Sequence, residues 1–316
     1  MLKRILYTVL ALIAVILAFG LVLAFIPLKP KSIHKAITPE EAAEWRQSFS
    51  EPHYEFTTTD GETLFMRRWS PDSVATTKKG IGVLILHGIT AHSGAYKMAG
   101  VPLAKAGYTT FGLDYRGHGL SGGNRADYPS KERRIADLVE AVDYVKSLGY
   151  SKVVVFGHSL GVASAIMVAK AVPDEIAGLI LLSGAYEGKK GVTAPPSLYE
   201  KAKILSSAFF RPSLQVVEYY REGMTGLDDP LFNFKYTLRF LSMLDVKELR
   251  LPKDLNMPVL VGVGDKDELF EVEQVKALYD EVPGDKKEFV VLKDTYHARF
   301  PDESWQELIG WLDRSF

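Results

Sequence analysis

The stretch Gly157-His158-Ser159-Leu160-Gly161 decides how this chain is read. An apolar run, residues 152–156 (KVVVF), precedes it, and a run of small residues with helical character, 162–170, follows. A strand, a sharp turn and a helix with a serine at the apex form a nucleophile elbow. Glycine on both sides of the serine fits, because a side chain there would strike the neighbouring strand and helix in so tight a turn. Such a turn holds Ser159 Oγ above the sheet, open to a substrate. The pattern alone is weak, since an ordinary strand-to-helix turn carries it by chance, so its weight depends on partners elsewhere in the chain.

On either side of the elbow the chain alternates strands and helices. Residues 82–86 and 108–113 are continuous apolar runs of the kind buried on both faces, the second ending at Asp114. Residues 135–148 put Ile135, Leu138, Val139, Val142, Val145 and Leu148 on one helical stripe. Residues 176–183, 258–264 and 289–292 read as further strands, and 302–314 as a closing helix with Trp305, Leu308, Ile309 and Leu312 inward. The pattern predicts an α/β fold, a mostly parallel sheet covered by helices on both faces. Ahead of it, runs at 54–58 and 63–69 flank Asp60-Gly61, a hairpin signal, and 70–80 is a polar loop. Thr38-Pro39-Glu40-Glu41 opens a short helix with a Thr cap, Pro at the first position and Glu three residues after the cap.

Residues 187–256 break the alternation and are rich in large apolar side chains, among them Leu198, Phe209, Phe210, Tyr219 and Phe232. A structureless loop of that length is out of place in a compact domain, so a helical cap over the carboxyl ends of the strands is expected. Most of its aromatics would form its own core, and some would line whatever lies beneath. The first residues are of another kind. Residues 5–28 carry no charge and follow Lys3 and Arg4, and a helix of that length reaches across ~30 Å of hydrocarbon. The run is longer than a secretory signal core and lacks a clean small-residue cleavage pattern, which favours an uncleaved anchor. Lys29, Lys31 and Lys35 on its far side nearly balance the basic groups before it, so the positive-inside rule assigns no orientation. The expected layout is an anchor at 1–28, a linker and short helix at 29–50, an α/β core at 51–186 and 257–316, and the cap at 187–256.

Among the 316 residues, 47% are hydrophobic, enough for a large core, and the net charge of −1 argues against a nucleic-acid surface. The absence of cysteine removes disulfides, thiol nucleophiles and thiolate metal sites together. No dinucleotide fingerprint follows the first parallel strand and no histidine pair has zinc spacing, so no cofactor and no metal are expected.

Ligands of open parallel sheets bind beyond the carboxyl ends of the strands, so the residues just after each strand carry the chemistry. A serine hydroxyl needs a base with a pKa near 7, and a carboxylate on the far nitrogen of a histidine fixes its tautomer. Of seven histidines only His297 follows a late strand. His87 and His158 adjoin the turns themselves, where a structural role is expected, and Asp114, Arg116 and His118 read as a hydrogen-bonded turn. Asp265 and Asp267 lie together after the strand at 258–264, and spacing does not separate them. The chain order Ser159, Asp, His297 is the order of this fold class. The oxyanion formed on attack needs backbone donors: the N–H of Leu160, at the start of the helix after the elbow, and the N–H of Ile89, after the strand at 82–86.

These motifs resemble the α/β-hydrolases, and within them the branch of monoacylglycerol lipases and lysophospholipases. The resemblance rests on His87-Gly88 leading into Ala91-His92-Ser93-Gly94, and on Asp114-Tyr115-Arg116-Gly117-His118-Gly119-Leu120-Ser121-Gly122-Gly123. It rests also on Phe156 to Gly161 and on Tyr296-His297. It covers the chain from about Tyr54 onward and is weak in the insertion. The family's G-x-x-D pattern falls on Gly264 and Asp267, which favours Asp267 as the orienting carboxylate. Two departures stand out: Ile89-Thr90, where the family often has small residues, and the N-terminal anchor.

The resemblance implies a serine hydrolase, membrane-anchored here, that cleaves carboxylic esters of lipophilic substrates such as a monoacylglycerol or lysophospholipid. Two other readings stay open. One is a thioesterase or protein deacylase on the same residues, told apart by comparing thioester with oxoester turnover. The other is a non-catalytic membrane scaffold, which usually lacks one of the three residues.

Overall fold

The computed structural model describes residues 1–72, 80–192, 195–243 and 250–316. Helix α1 (Leu2–Phe25) stands at the N-terminus, and α2 (Pro39–Gln47) follows with the expected cap: Thr38 Oγ1 accepts from Glu41 N–H while the Glu41 carboxylate accepts from Thr38 N–H. Strands β1 (His53–Thr57) and β2 (Thr63–Trp69) form the predicted hairpin. Then come β3 (Ile81–Leu86), α3 (Lys97–Lys105), β4 (Thr109–Leu113), α4 (Lys131–Ser147), β5 (Lys152–His158), α5 (Leu160–Ala171) and β6 (Gly178–Leu182). The segment after β6 holds α6 (Leu198–Phe210), a two-stranded ribbon of β7 (Val217–Glu218) and β8 (Lys235–Tyr236), and α7 (Leu238–Ser242). The chain closes with β9 (Val259–Gly264), α8 (Val272–Glu281), β10 (Lys287–Leu292) and α9 (Asp302–Ser315).

The main sheet has eight strands in the order β1-β2-β4-β3-β5-β6-β9-β10. The β1–β2 and β2–β4 pairings are antiparallel, so β2 alone runs against the rest; from β4 to β10 every pairing is parallel. Every residue of β3, β4, β6 and β9 is buried, which is why these strands read as unbroken apolar runs. One core joins this sheet to α4, α5 and α8, and a second packs α3 and α9 on the other face through Leu103, Trp305, Leu308 and Trp311. This is the α/β-hydrolase fold. It puts the carboxyl ends of β3, β5, β9 and β10 at one edge, where the site is built.

The differences from the sequence reading have local causes. Helix α4 starts at Lys131 rather than 135, because Ser130 Oγ caps Arg133 N–H and the polar first turn shows no apolar stripe. Helix α1 stops at Phe25, short of the apolar run's end, and Ile26 is extended because the residue before a proline is disfavoured in a helix. The segment expected to be a helical cap is of mixed character: Gly223 and Gly226 both have positive φ and interrupt it, and the β7–β8 ribbon brackets them. Residues 73–79 of the polar loop, and 193–194 and 244–249 of that segment, lie outside the described residues. Residues of the short helix and just before it pack onto the core. Ile37 and Ala42 are buried with Phe65, Leu120 and Leu231, and Ile37 N–H donates to Pro230 O.

Candidate active site

Ser159 sits between β5 and α5 with φ 55° and ψ −120°, a backbone conformation that costs energy for any residue with a side chain. Its surroundings hold it there. The Ser159 N–H donates to Leu182 O at 3.0 Å, and its carbonyl accepts from Val162 N–H at 3.0 Å. A Cβ on Gly157 would overlap the Gly161 carbonyl, and one on Gly161 would overlap the Leu86 carbonyl at the end of β3. Both glycines are therefore required by close backbone approach.

The loop after β3 meets the serine directly: a Cβ added at Gly88 would lie 3.3 Å from Ser159 Cβ. The Ile89 carbonyl accepts from Tyr236 Oη, which ties this loop to β8. Among the described residues the Ile89 N–H has no acceptor in the protein. Leu160 opens α5, so its N–H has no intrahelical acceptor either. Two free donors thus flank the serine.

His297 follows β10, and its Nδ1–H donates to Asp267 Oδ2 at 3.0 Å. The other carboxylate oxygen, Oδ1, accepts from the N–H groups of Leu269 and Phe270. Burial alone would raise the Asp267 pKa, but the His297 hydrogen bond and charge, with the Leu269 N–H, hold it below the usual carboxylate value. Asp267 is therefore an anion that keeps the proton of His297 on Nδ1 and leaves Nε2 to accept one. Asp265 is exposed and turned away, accepting from Thr295 N–H at 3.2 Å. The structure brings Asp267, not Asp265, to His297.

His158 does more than its place beside Ser159 suggests. The Gly88 N–H donates to Tyr96 Oη at 2.8 Å; that hydroxyl donates to His158 Nδ1 at 2.6 Å, and His158 Nε2–H donates to the His297 carbonyl at 2.9 Å. One chain of buried hydrogen bonds thus joins the loop after β3 to the His297 loop beneath the serine. Burial pushes the His158 pKa down to about 3, so the ring is neutral and this pattern is fixed. His158 and His297 lie 139 positions apart, and Tyr96 carries no motif of its own, so nothing local in the chain signals this network. His87 is likewise buried, pushed down to about 4 by desolvation, with Nδ1–H on its neighbour's carbonyl and Nε2 accepting from Tyr115 N–H. Asp114 anchors the turn after β4 through the N–H groups of Ser93 and Leu120, and Arg116 forms an ion pair with Asp137, as expected of a structural turn.

A cavity of about 460 Å³ opens above these groups, and Gly88, Ile89, Ser159 and His297 all line it. Tyr219 and Phe232 from the segment after β6 form part of its wall, whereas Leu198 and Phe209 from the same segment are exposed. Its polar rim includes Asp229, whose carboxylate accepts from His92 Nε2–H at 3.0 Å. Among the described residues no group of three or more His, Asp or Glu is placed to hold a metal ion.

The sequence signature of the serine aminopeptidase, S33, family matches residues 78–304. The chain is 26% identical over 282 residues to a monoacylglycerol lipase of Mycolicibacterium smegmatis, covering 83% of this chain and 95% of that one. It is 27% identical over 281 residues to the human monoglyceride lipase, covering 82% of this chain and 89% of that protein. Among solved structures, a soluble variant of the Saccharomyces cerevisiae monoglyceride lipase superposes with a TM-score of 0.68 at 17% identity, over 84% of this chain and 96% of that one.

Proposed function

The chain belongs to the serine aminopeptidase, S33, family of α/β-hydrolases, and on that premise we propose that it is a membrane-anchored lipid esterase using Ser159, His297 and Asp267. The observation that carries the reading is one cavity lined by both Ser159, on its strained elbow, and His297, whose Nδ1–H is engaged by the Asp267 carboxylate.

In this reading Ser159 Oγ attacks the ester carbonyl carbon while His297 Nε2 takes its proton. The negative charge that develops on the carbonyl oxygen is met by the free N–H groups of Ile89 and Leu160. The tetrahedral intermediate collapses, His297 returns the proton to the leaving alcohol, and an acyl-Ser159 ester remains. Water then gives a proton to Nε2 and attacks the acyl carbon; as the second tetrahedral intermediate collapses, His297 returns that proton to Ser159 Oγ and the carboxylic acid leaves. Asp267 stays an anion throughout and stabilises the imidazolium.

A long-chain monoester, a monoacylglycerol or lysophospholipid, is the substrate class favoured. Apolar groups such as Ile89, Met98, Tyr219 and Leu269 line the cavity, and the relatives named above are monoacylglycerol lipases. Membrane anchoring is supported by α1, whose side chains are exposed except at Leu23 and Ala24, with no charged residue beyond Lys3 and Arg4. Helix α6 packs beside it with Leu198, Leu205 and Phe209 exposed, a pattern suited to lipid rather than water. A fluorophosphonate probe tests the nucleophile. Wild-type protein is expected to label and Ser159→Ala is not; equal labelling of both would refute the assignment. Hydrolysis of acetyl esters with none of monoacylglycerols or lysophospholipids would refute the substrate class.

A further inference from the structure

A second cavity, about 540 Å³, lies where α1 ends, and its lining differs from that of the site above. Its walls come from residues 25–31, from α6 and from the β7–β8 ribbon. Helix α6 runs antiparallel along the last turns of α1. Lys203 Nζ donates to the carbonyls of Leu23 and Ala24 at 2.8 and 2.9 Å, and Gly20 lies against Phe210. The Leu23 carbonyl also accepts from the Ile26 N–H at 3.3 Å, and Lys203 adds a donor to both carbonyls at the end of α1. They also place a charged ammonium, with its side chain almost fully buried, at the end of an apolar helix.

Lys203 has no carboxylate partner among the described residues, nor has Arg211, which lines the same cavity with its guanidinium 4.9 Å from the Phe25 ring centre. The nearby acids are engaged elsewhere. Glu218 accepts from the N–H groups of Lys31 and Ser32 and from the Ser32 hydroxyl, while Glu200 caps α6 and pairs with Lys31. Two cations are therefore left unneutralised against an apolar wall of Ile26, Leu28, Ile204 and Leu214. Burial, with repulsion from Arg211 added, holds the Lys203 pKa below the usual lysine value. A nearby anion would relieve both costs, and an acyl chain would fill the apolar remainder.

We propose that this cavity is a second lipid site, distinct from the one at Ser159, that binds an anionic lipid with its head at Lys203 and Arg211 and its chain along residues 26–28 and Ile204. It rests on α1 lying in the membrane, which places the cavity at the depth of the lipid head groups, because the cavity begins at the helix's last residue. The shared chemistry is a negative head on a long chain, found in a free fatty acid and in an acidic phospholipid. Tyr219 lines both cavities, so a lipid seated here touches the wall of the site above Ser159.

The test uses the full chain in phosphatidylcholine nanodiscs with three photoreactive probes: a C18 fatty acid, a phosphatidylglycerol and an uncharged acylglycerol ether. Peptides are then mapped by mass spectrometry. The uncharged probe is expected to label α1 and the exposed face of α6, while one or both anionic probes also label residues 25–31 and 214–220, which line the cavity. Arg211→Gln is the variant of choice because it leaves the Lys203 cap in place. It is expected to cut anionic labelling by about tenfold, the loss of one charge-assisted hydrogen bond, without changing labelling of α1. Fatty acid labelling alone assigns a carboxylate ligand, and phosphatidylglycerol labelling alone assigns a phospholipid head group. Equal labelling of 25–31 and 214–220 by the uncharged probe, or no effect of Arg211→Gln, would overturn the site. Absence of any label on α1 would instead overturn the membrane placement on which it rests.

Discussion

Tyr96→Phe removes one oxygen and keeps the ring, and its consequences follow from the bonds that oxygen makes. The hydroxyl accepts from Gly88 N–H at 2.8 Å and donates to His158 Nδ1 at 2.6 Å, and Tyr96 and His158 are both buried. Water does not replace it without entering a packed region, so the variant leaves one buried donor and one buried acceptor unpaired. Each such group costs about 1–3 kcal/mol, so a loss of roughly 3 kcal/mol is expected. Taking about 2–4 °C per kcal/mol for a large domain, the melting temperature falls by ~6 °C or more. The two loops that the network joins are those carrying Ile89 and His297, so kcat on a short-chain ester should fall by about tenfold to a hundredfold. Scanning fluorimetry and steady-state kinetics in the same detergent measure both. Tyr144→Phe is the control, because its hydroxyl makes one long, exposed bond to Glu55 O, and it should stay within about 0.5 kcal/mol of wild type. A Tyr96→Phe protein melting within 1 °C of wild type, with kcat within about twofold, would refute the view that this network supports the site.

Asp267→Asn should lower kcat by roughly a thousandfold or more while the protein stays folded, whereas Asp265→Asn should change it by less than about twofold; ester kinetics on the pair decide between them. Gly161→Ala forces a methyl group into the Leu86 carbonyl, so loss of soluble, folded protein or a destabilisation of at least ~2 kcal/mol is expected. A Gly161→Ala protein with an unchanged melting temperature would show that the elbow is not so tight. For pH, desolvation pushes the folded-state pKa of His87 to about 4 and of His158 to about 3, against 6.5 when unfolded. The unfolded chain therefore binds protons first, and stability is lost as pH falls from 6.5 toward these values, at up to about 1.4 kcal/mol per pH unit for each ring. Melting curves from pH 7.5 to 4.5 test this, and a flat profile would contradict the buried neutral rings.

The chain's sequence determined those features whose cause is local. Ser159 between two glycines, after an apolar strand and before a helix, is a pattern set by backbone sterics over a few residues. The parallel strands were legible because burial on both faces demands continuous apolar runs, and the α2 cap because one residue's side chain serves the next turn's N–H. Spacing alone narrowed the acid to a short loop, and only the resemblance to the family's G-x-x-D pattern favoured Asp267. Asp265 and Asp267 share composition and strand end, and the tertiary structure turns Asp267 toward His297 and Asp265 toward Thr295. The Tyr96–His158–His297 chain, the cavity shared by Ser159 and His297, and the cationic cavity at the end of α1 depend on contacts between residues far apart in the chain. Such contacts leave no periodicity, because what selects them is the packing of elements against one another rather than the conformation of any one segment.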